Sequence, residues 1–232
     1  MFRRILSCEA GHSPLGTAGL GMALALPALA PVVVAVIAVS SVTLSPDTVT
    51  AGTTATATVT LDASAPLGTR VLLSSSNPSV ATVPLSITIG GKLGNQGGFP
   101  VNTVAGSAGC STISARVGTT AAKSALLAVQ PPISTGLLTL TLSTGSVQGG
   151  SSLTGTVKLN QPNSGPVQLR SSNPAVTVPA SVTLNPNEIG IAVGTFPITT
   201  TVPATTTCAI ITATFSGSQS RALLKVTRLF VG

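Results

Sequence analysis

Tryptophan and tyrosine are absent from the 232 residues, phenylalanine occurs five times and histidine once. Acidic side chains number four and cysteines three. Each shortage closes a class of function. Stacking-based binders of carbohydrate or single-stranded nucleic acid rely on aromatic platforms, which this chain hardly has. Acid/base and metal chemistry draw on His, Asp, Glu and Cys. The sole histidine, His12, belongs to an apolar leader, so no Ser-His-Asp or Cys-His arrangement can form after it. Asp47, Asp62 and Glu188 stand isolated and assemble neither a calcium loop nor a paired-carboxylate site. The sequence therefore reads as no enzyme, with no metal and no cofactor. No Asn-x-Ser/Thr glycosylation acceptor occurs either. Only 6% of residues are charged, but 43% are hydrophobic, enough apolar material to bury a core, so low charge here does not mean disorder.

The leader combines Arg3-Arg4 with an uncharged run from Pro14 to Pro46 that contains Val32-Val-Val-Ala-Val-Ile-Ala-Val39. A positive start, an apolar stretch, Pro27 and small residues at Ala28 and Ala30 match a secretory signal, with Ala35 or Ala38 as better cleavage points than Ala30, which Pro31 follows. The competing reading is an uncleaved anchor, since Leu15 to Val39 is long enough for a bilayer core of about 30 Å. Residues 1–38 are assigned to this signal or anchor.

A repeat follows. Leu44-Ser-Pro-Asp-Thr-Val-Thr-Ala-Gly52 aligns with Leu142-Ser-Thr-Gly-Ser-Val-Gln-Gly-Gly150 at an offset of 98. Ser75-Ser-Asn-Pro78 matches Ser171-Ser-Asn-Pro174 at 96, Phe99-Pro-Val-Asn-Thr103 matches Phe196-Pro-Ile-Thr-Thr200 at 97, and Cys110 matches Cys208 at 98. The copies span 39–131 and 137–232, joined by a proline-containing linker at 132–136. Pro131-Pro132 stiffen that connection, and an extended two-domain rod is expected. Within each copy apolar residues alternate with period two, as in strands that bury one face. Ala55, Ala57, Val59 and Leu61 should face inward, as should Leu153, Gly155, Val157 and Leu159; Gly52, Asn77-Pro78, Gly90-Gly91 and Gly97-Gly98 read as punctuation. About seven short strands per copy, with turns at regular intervals over roughly 100 residues, predict an all-β chain of two immunoglobulin-like β-sandwiches.

The entry strand Val42-Thr-Leu-Ser-Pro46, the Ser-Ser-Asn-Pro turn, Val83-Pro84 (Val178-Pro179) and the closing strands around Ile113 and Leu127 (Ile211 and Leu224) resemble tandem bacterial Ig-like domains of secreted and cell-surface proteins. The resemblance covers about residues 40–230. It implies adhesion, spacing or surface-structural work outside the cell, on an unidentified protein or cell-surface polymer. Each copy departs from antibody domains in lacking the core Trp, the tyrosine corner and a second cysteine, so no disulfide can form within a copy.

Cys110 and Cys208 open the sixth predicted strand of each copy. In sandwiches stacked end to end they would lie far beyond the roughly 7 Å Cα limit for a bond. They read either as small half-buried residues or as an intermolecular disulfide. An alternative function is a filament or surface-layer subunit assembled by β-strand addition, with Val32, Val33, Val34, Val36, Ile37 and Val39 as the donor strand and self-association as the outcome. Without residues 1–38 the chain keeps 9 basic and 3 acidic residues (11 − 2 and 4 − 1), a net of +6. Arg70, Arg116, Lys158, Arg170, Arg221 and Lys225 should point outward, a charge that would suit an anionic cell-wall polymer, a membrane surface or nucleic acid; being scattered over several strands they read instead as solvated faces, no nucleic-acid motif accompanies them, and a membrane enters only through the leader.

Overall fold

The computed structural model describes residues 36–90, 94–132, 136–162, 165–188 and 190–228. Among them all regular structure is β, and none forms a helix long and apolar enough to cross a membrane. The leader through Ala35, with its donor-strand residues Val32, Val33 and Val34, lies outside the described residues.

The first copy contains β1 (Val39–Ser45), β2 (Thr48–Thr50), β3 (Thr54–Leu61), β4 (Thr69–Ser75), β5 (Ala81–Thr82), β6 (Ser86–Ile89), β7 (Gln96–Thr103), β8 (Gly109–Val117) and β9 (Lys123–Gln130). The second contains β10 (Leu138–Leu142), β11 (Ser146–Gln148), β12 (Ser152–Leu159), β13 (Pro166–Ser171), β14 (Val176–Thr177), β15 (Ser181–Thr183), β16 (Asn185–Pro186), β17 (Ala192–Thr200), β18 (Thr207–Phe215) and β19 (Ser218–Thr227). Sheets β1-β3-β7-β5 and β2-β9-β8-β4-β6 face each other in the first sandwich; β10-β12-β17-β14, with β16 on β17, and β11-β19-β18-β13-β15 do so in the second.

More strands form than the seven expected per copy, chiefly because each entry strand serves both sheets. The chain runs antiparallel to β3 through Ser45, turns at Pro46, and continues as β2 parallel to β9. Proline offers no N–H to a ladder, so a change of sheet at this point sacrifices no strand hydrogen bond. β10 and β11 repeat the device, β11 running parallel to β19.

The period-two pattern holds in space. Ala55, Ala57, Val59 and Leu61 join Val71, Val101, Ile113, Leu127 and Val129 in one core, and Val157, Leu159, Val167, Ile198, Ile211, Leu224 and Val226 form the other. Ile37 packs against the first core, Ala38 N donates to Asp62 Oδ1 (3.0 Å), and Asp62 N donates to Ala38 O (3.0 Å). A boundary at residue 38 would therefore cut through chain that the sandwich uses.

The Gly97-Gly98 pair does not mark a turn. Both residues sit inside β7, where a Cβ on Gly97 would come within 2.7 Å of the Ile89 side chain. Gly155 has the same kind of role: it lies opposite Phe196 in the β12–β17 register, and the Phe196 ring fills the space a Cβ would take. The corresponding row of the first sandwich pairs Ala57 with Phe99. Gly155→Ala is therefore expected to overpack the second core and destabilise it by about 1–3 kcal/mol. Thermal or urea unfolding measures this, and an unchanged midpoint would show that the Phe196 ring can move aside freely.

Candidate functional site

Cys110 and Cys208 each lie one residue inside a strand, beside a turn built by the repeated Ser-Ser-Asn-Pro segment. In the first copy Ser76 N donates to Thr112 O (3.0 Å) and Thr112 N donates to Ser76 Oγ (2.9 Å). In the second, Ser172 N donates to Ile210 O (3.0 Å) and Ile210 N donates to Ser172 Oγ (2.8 Å). The serine hydroxyl thus continues the ladder past the last strand residue. Behind it, Asn77 N donates to the buried Ser111 Oγ (3.2 Å), and Ser75 Oγ donates to Ala81 O (2.6 Å). The Ser75–Ser111 hydroxyl contact (2.7 Å) must then run from Ser111 to Ser75, leaving no orphaned polar atom in that relay. In the second copy Ala209 replaces Ser111, and the Asn173 side-chain amide binds Thr207 Oγ1 (2.9 Å) and Cys208 O (3.0 Å) instead. Both cysteines are therefore held on fixed backbone.

They are bonded to each other. The Cys110–Cys208 disulfide is intramolecular and spans Cα atoms 6.1 Å apart. This corrects the reading of the cysteines as unpaired residues, the intermolecular bond and the extended rod, all of which assumed end-to-end stacking. The two sandwiches lie side by side, with the outer faces of β8 and β9 against those of β18 and β19. The physical reason lies in residues that alternation assigns to solvent. Ala128 and Leu223 point away from their own cores, yet each is at most 1% exposed because the opposite sandwich covers it. The signal was present in the sequence: Ala125-Leu-Leu-Ala-Val129 and Ala222-Leu-Leu224 are apolar on both faces, as a strand covered on both sides should be.

Equivalent residues meet across this seam, as they do around a two-fold axis between identical subunits. Cys110 touches its own counterpart. A cavity of about 360 Å³ beside the bond is lined by Thr112 and Leu126 from one copy and by their counterparts Ile210 and Leu223 from the other. Besides the change from Thr112 to Ile210, charge breaks the symmetry. Asp47 corresponds to Gly145, and Ala128 corresponds to Lys225. Ala128 N donates to Asp47 O (2.9 Å) and Lys225 N donates to Gly145 O (2.9 Å), so each pair lies together in its own copy. Across the seam, Lys225 Nζ donates to Asp47 Oδ2 (2.6 Å). A pairing of two first copies or of two second copies would lack this contact. Gln130 Nε2 adds a longer bond to Leu223 O (3.4 Å).

The bond and the ion pair differ greatly in weight. Closing a loop of 98 residues constrains the unfolded chain by about 4–5 kcal/mol in the entropic account. Lys225 is 13% exposed but Asp47 57%, so solvent screens their attraction to about 0–1 kcal/mol. The Lys225 hydrogen bond lowers the Asp47 carboxyl below its ordinary value; partial burial opposes this, and the Lys225 charge and the Thr48 hydroxyl add to it.

Among the described residues no three His, Cys, Asp or Glu side chains cluster. Asp47 is held by Lys225, Asp62 by the Ala38 amide, and Glu188 lies in the turn before β17. Val39 and Ile37, expected in a donor strand, serve this chain's own fold: Val39 pairs with Leu61 in β1 and is 2% exposed. Val36 is exposed. Of the six basic residues expected to face solvent, Lys225 is drawn into the seam, while Arg70, Arg116, Lys158, Arg170 and Arg221 are exposed.

Cys110→Ser/Cys208→Ser is expected to leave both cores folded and to let the sandwiches separate on their linker, raising the radius of gyration in small-angle scattering. An unchanged radius would show that Ala128, Leu223 and the ion pair suffice. A carboxyl with a depressed folded value stabilises above its ordinary value and loses that contribution as pH falls through the folded one. In the serine variant the seam should therefore open further as pH drops below about 4, and Asp47→Asn should remove that dependence.

No protein-family model matches this chain, and no curated sequence does. Among solved structures it is similar to the D0-D1 domain of intimin, at 15% identity and a TM-score of 0.36 over 82% of this chain and 99% of that one. It is also similar to domains 4 and 5 of the S-layer protein SbsC (18%, 0.29, 82% and 98%). A third is the Yersinia pseudotuberculosis adhesin InvE (17%, 0.31, 80% and 58%). The chain itself is a tandem of two immunoglobulin-like sandwiches.

Proposed function

We propose that this protein is a non-enzymatic, exported module that works at the cell surface as an adhesive or spacing unit, with two sandwiches clamped into one block. The Cys110–Cys208 bond carries this reading. Such bonds persist in oxidising compartments outside the cytosol, and an apolar leader behind Arg3-Arg4 supplies a route there. A clamp between domains has no obvious use in catalysis by a chain whose acids are scattered. It suits a load-bearing or partner-presenting unit, because it removes the hinge that a bare linker would leave.

A partner would be a protein or a polymer of the cell surface, met by the faces the seam leaves open. Strand addition through Ile37 and Val39 is not part of the proposal, since both are already used in the chain's own sandwich.

Fractionation of the native host, with thiol alkylation before and after reduction, tests the reading. The protein should appear outside the cytoplasm, with Cys110 and Cys208 alkylated only after reduction. Recovery from the cytoplasm with both thiols free would overturn it.

A further inference from the structure

On the outer face of the second sandwich, β13, β18 and β19 are adjacent, and their register places Arg170, Thr212 and Arg221 in one row. With about 4.8 Å between strands, the two arginine Cα atoms stand roughly 10 Å apart. A cleft of about 290 Å³ lies among Arg170, Ser171, Ser172, Ile210, Thr212 and Arg221. The row before it holds Gln168, Thr214 and Gln219. Ile210 and the seam with the first sandwich bound the other side.

Neither guanidinium has a hydrogen-bond or ion-pair partner among the described residues, where the single ion pair is Lys225–Asp47. The first sandwich shows that the fold does not require the two arginines: its matching row, by the registers of β4, β8 and β9, is Ser74, Ser114 and Ser124. The same architecture thus carries a neutral serine row in one copy and paired arginines in the other.

We infer that this face binds an anionic polysaccharide, with Arg170 and Arg221 each taking a carboxylate, sulfate or phosphate group of the polymer. A guanidinium fork fits such groups with two parallel hydrogen bonds, and an unpartnered arginine has all its donors free for them. The neighbouring glutamine amides and threonine hydroxyls suit sugar hydroxyls. The face is a flat sheet rather than a closed pocket, which fits a polymer better than a small ligand. Single-stranded nucleic acid is the poorer match: Phe99, Phe196 and Phe215 are buried, leaving no aromatic surface among the described residues for bases to stack on. The inference rests on the exported reading above for its biological setting, but not for its test.

Binding of the purified, oxidised protein to heparin, polygalacturonate, neutral dextran and a DNA duplex is measured at several salt concentrations. The wild type should bind one or both anionic glycans, weaken as salt rises, and ignore dextran. Arg170→Ser/Arg221→Ser installs the residue type of the first copy's row, so it should fold, and it should lose about tenfold in affinity per arginine. Arg116→Ser/Lys158→Ser removes the same net charge elsewhere and should bind nearly as wild type. Equal losses in the two double variants would overturn the proposal, since binding would then follow net charge alone. Binding to DNA as tight as to the glycans, or no glycan binding, would overturn it too. Export is judged separately by fractionation, so either proposal can fail while the other stands.

Discussion

A covalent bond between equivalent residues of a duplicated unit is the constraint on which the rest of this arrangement depends. Cys110 and Cys208 can meet only if the outer faces of β8–β9 and β18–β19 come together, since strands stacked end to end would hold them too far apart. Once those faces meet, Ala128 and Leu223 leave water, Asp47 comes within reach of Lys225, and the linker no longer acts as a hinge. The apolar contact and the ion pair are modest in weight. The bond makes their encounter intramolecular and permanent in an oxidising compartment.

The two copies agree where they must and differ where they can. Inside each sandwich, a change of volume disturbs close-packed neighbours, and many inward positions carry the same residue in both copies, among them Val59 and Val157, Leu61 and Leu159, Ile113 and Ile211, and Leu127 and Leu224. One inward exception is Ala57 with Phe99 against Gly155 with Phe196, where the smaller residue makes room for a shifted ring. Outer faces tolerate divergence, and there the copies have parted. Asp47 and Lys225 give the seam an orientation that two identical copies could not have. Arg170 and Arg221 give the second sandwich a charged row where the first has Ser74 and Ser124. Duplication supplied a framework twice, and the changes of charge between the copies lie on the outer faces.

Strand positions, the two cores and the all-β architecture were legible in the sequence because alternation with period two reports directly which side chains a pleated strand buries. The repeat offset located the matching rows. The sequence also contained the sign of a second burial event, in the apolar run Ala125 to Val129 and in Leu223 beside Leu224. Alternation alone is blind to it, because it assumes one wet face per strand.

What the sequence determined by itself was local and periodic: the strands, their inward residues and the equivalence of the cysteines. What the tertiary structure decided was how one copy faces the other. That choice made the cysteines a pair within one chain, drew Lys225 out of the solvent-facing set, and placed Arg170 and Arg221 across Thr212 in one row. Such facts follow from register between strands distant in sequence and from contact between separate sheets. Neither leaves a periodic trace, since a pleated strand constrains the residues two apart along its own chain and says nothing of its neighbours across a sheet or seam.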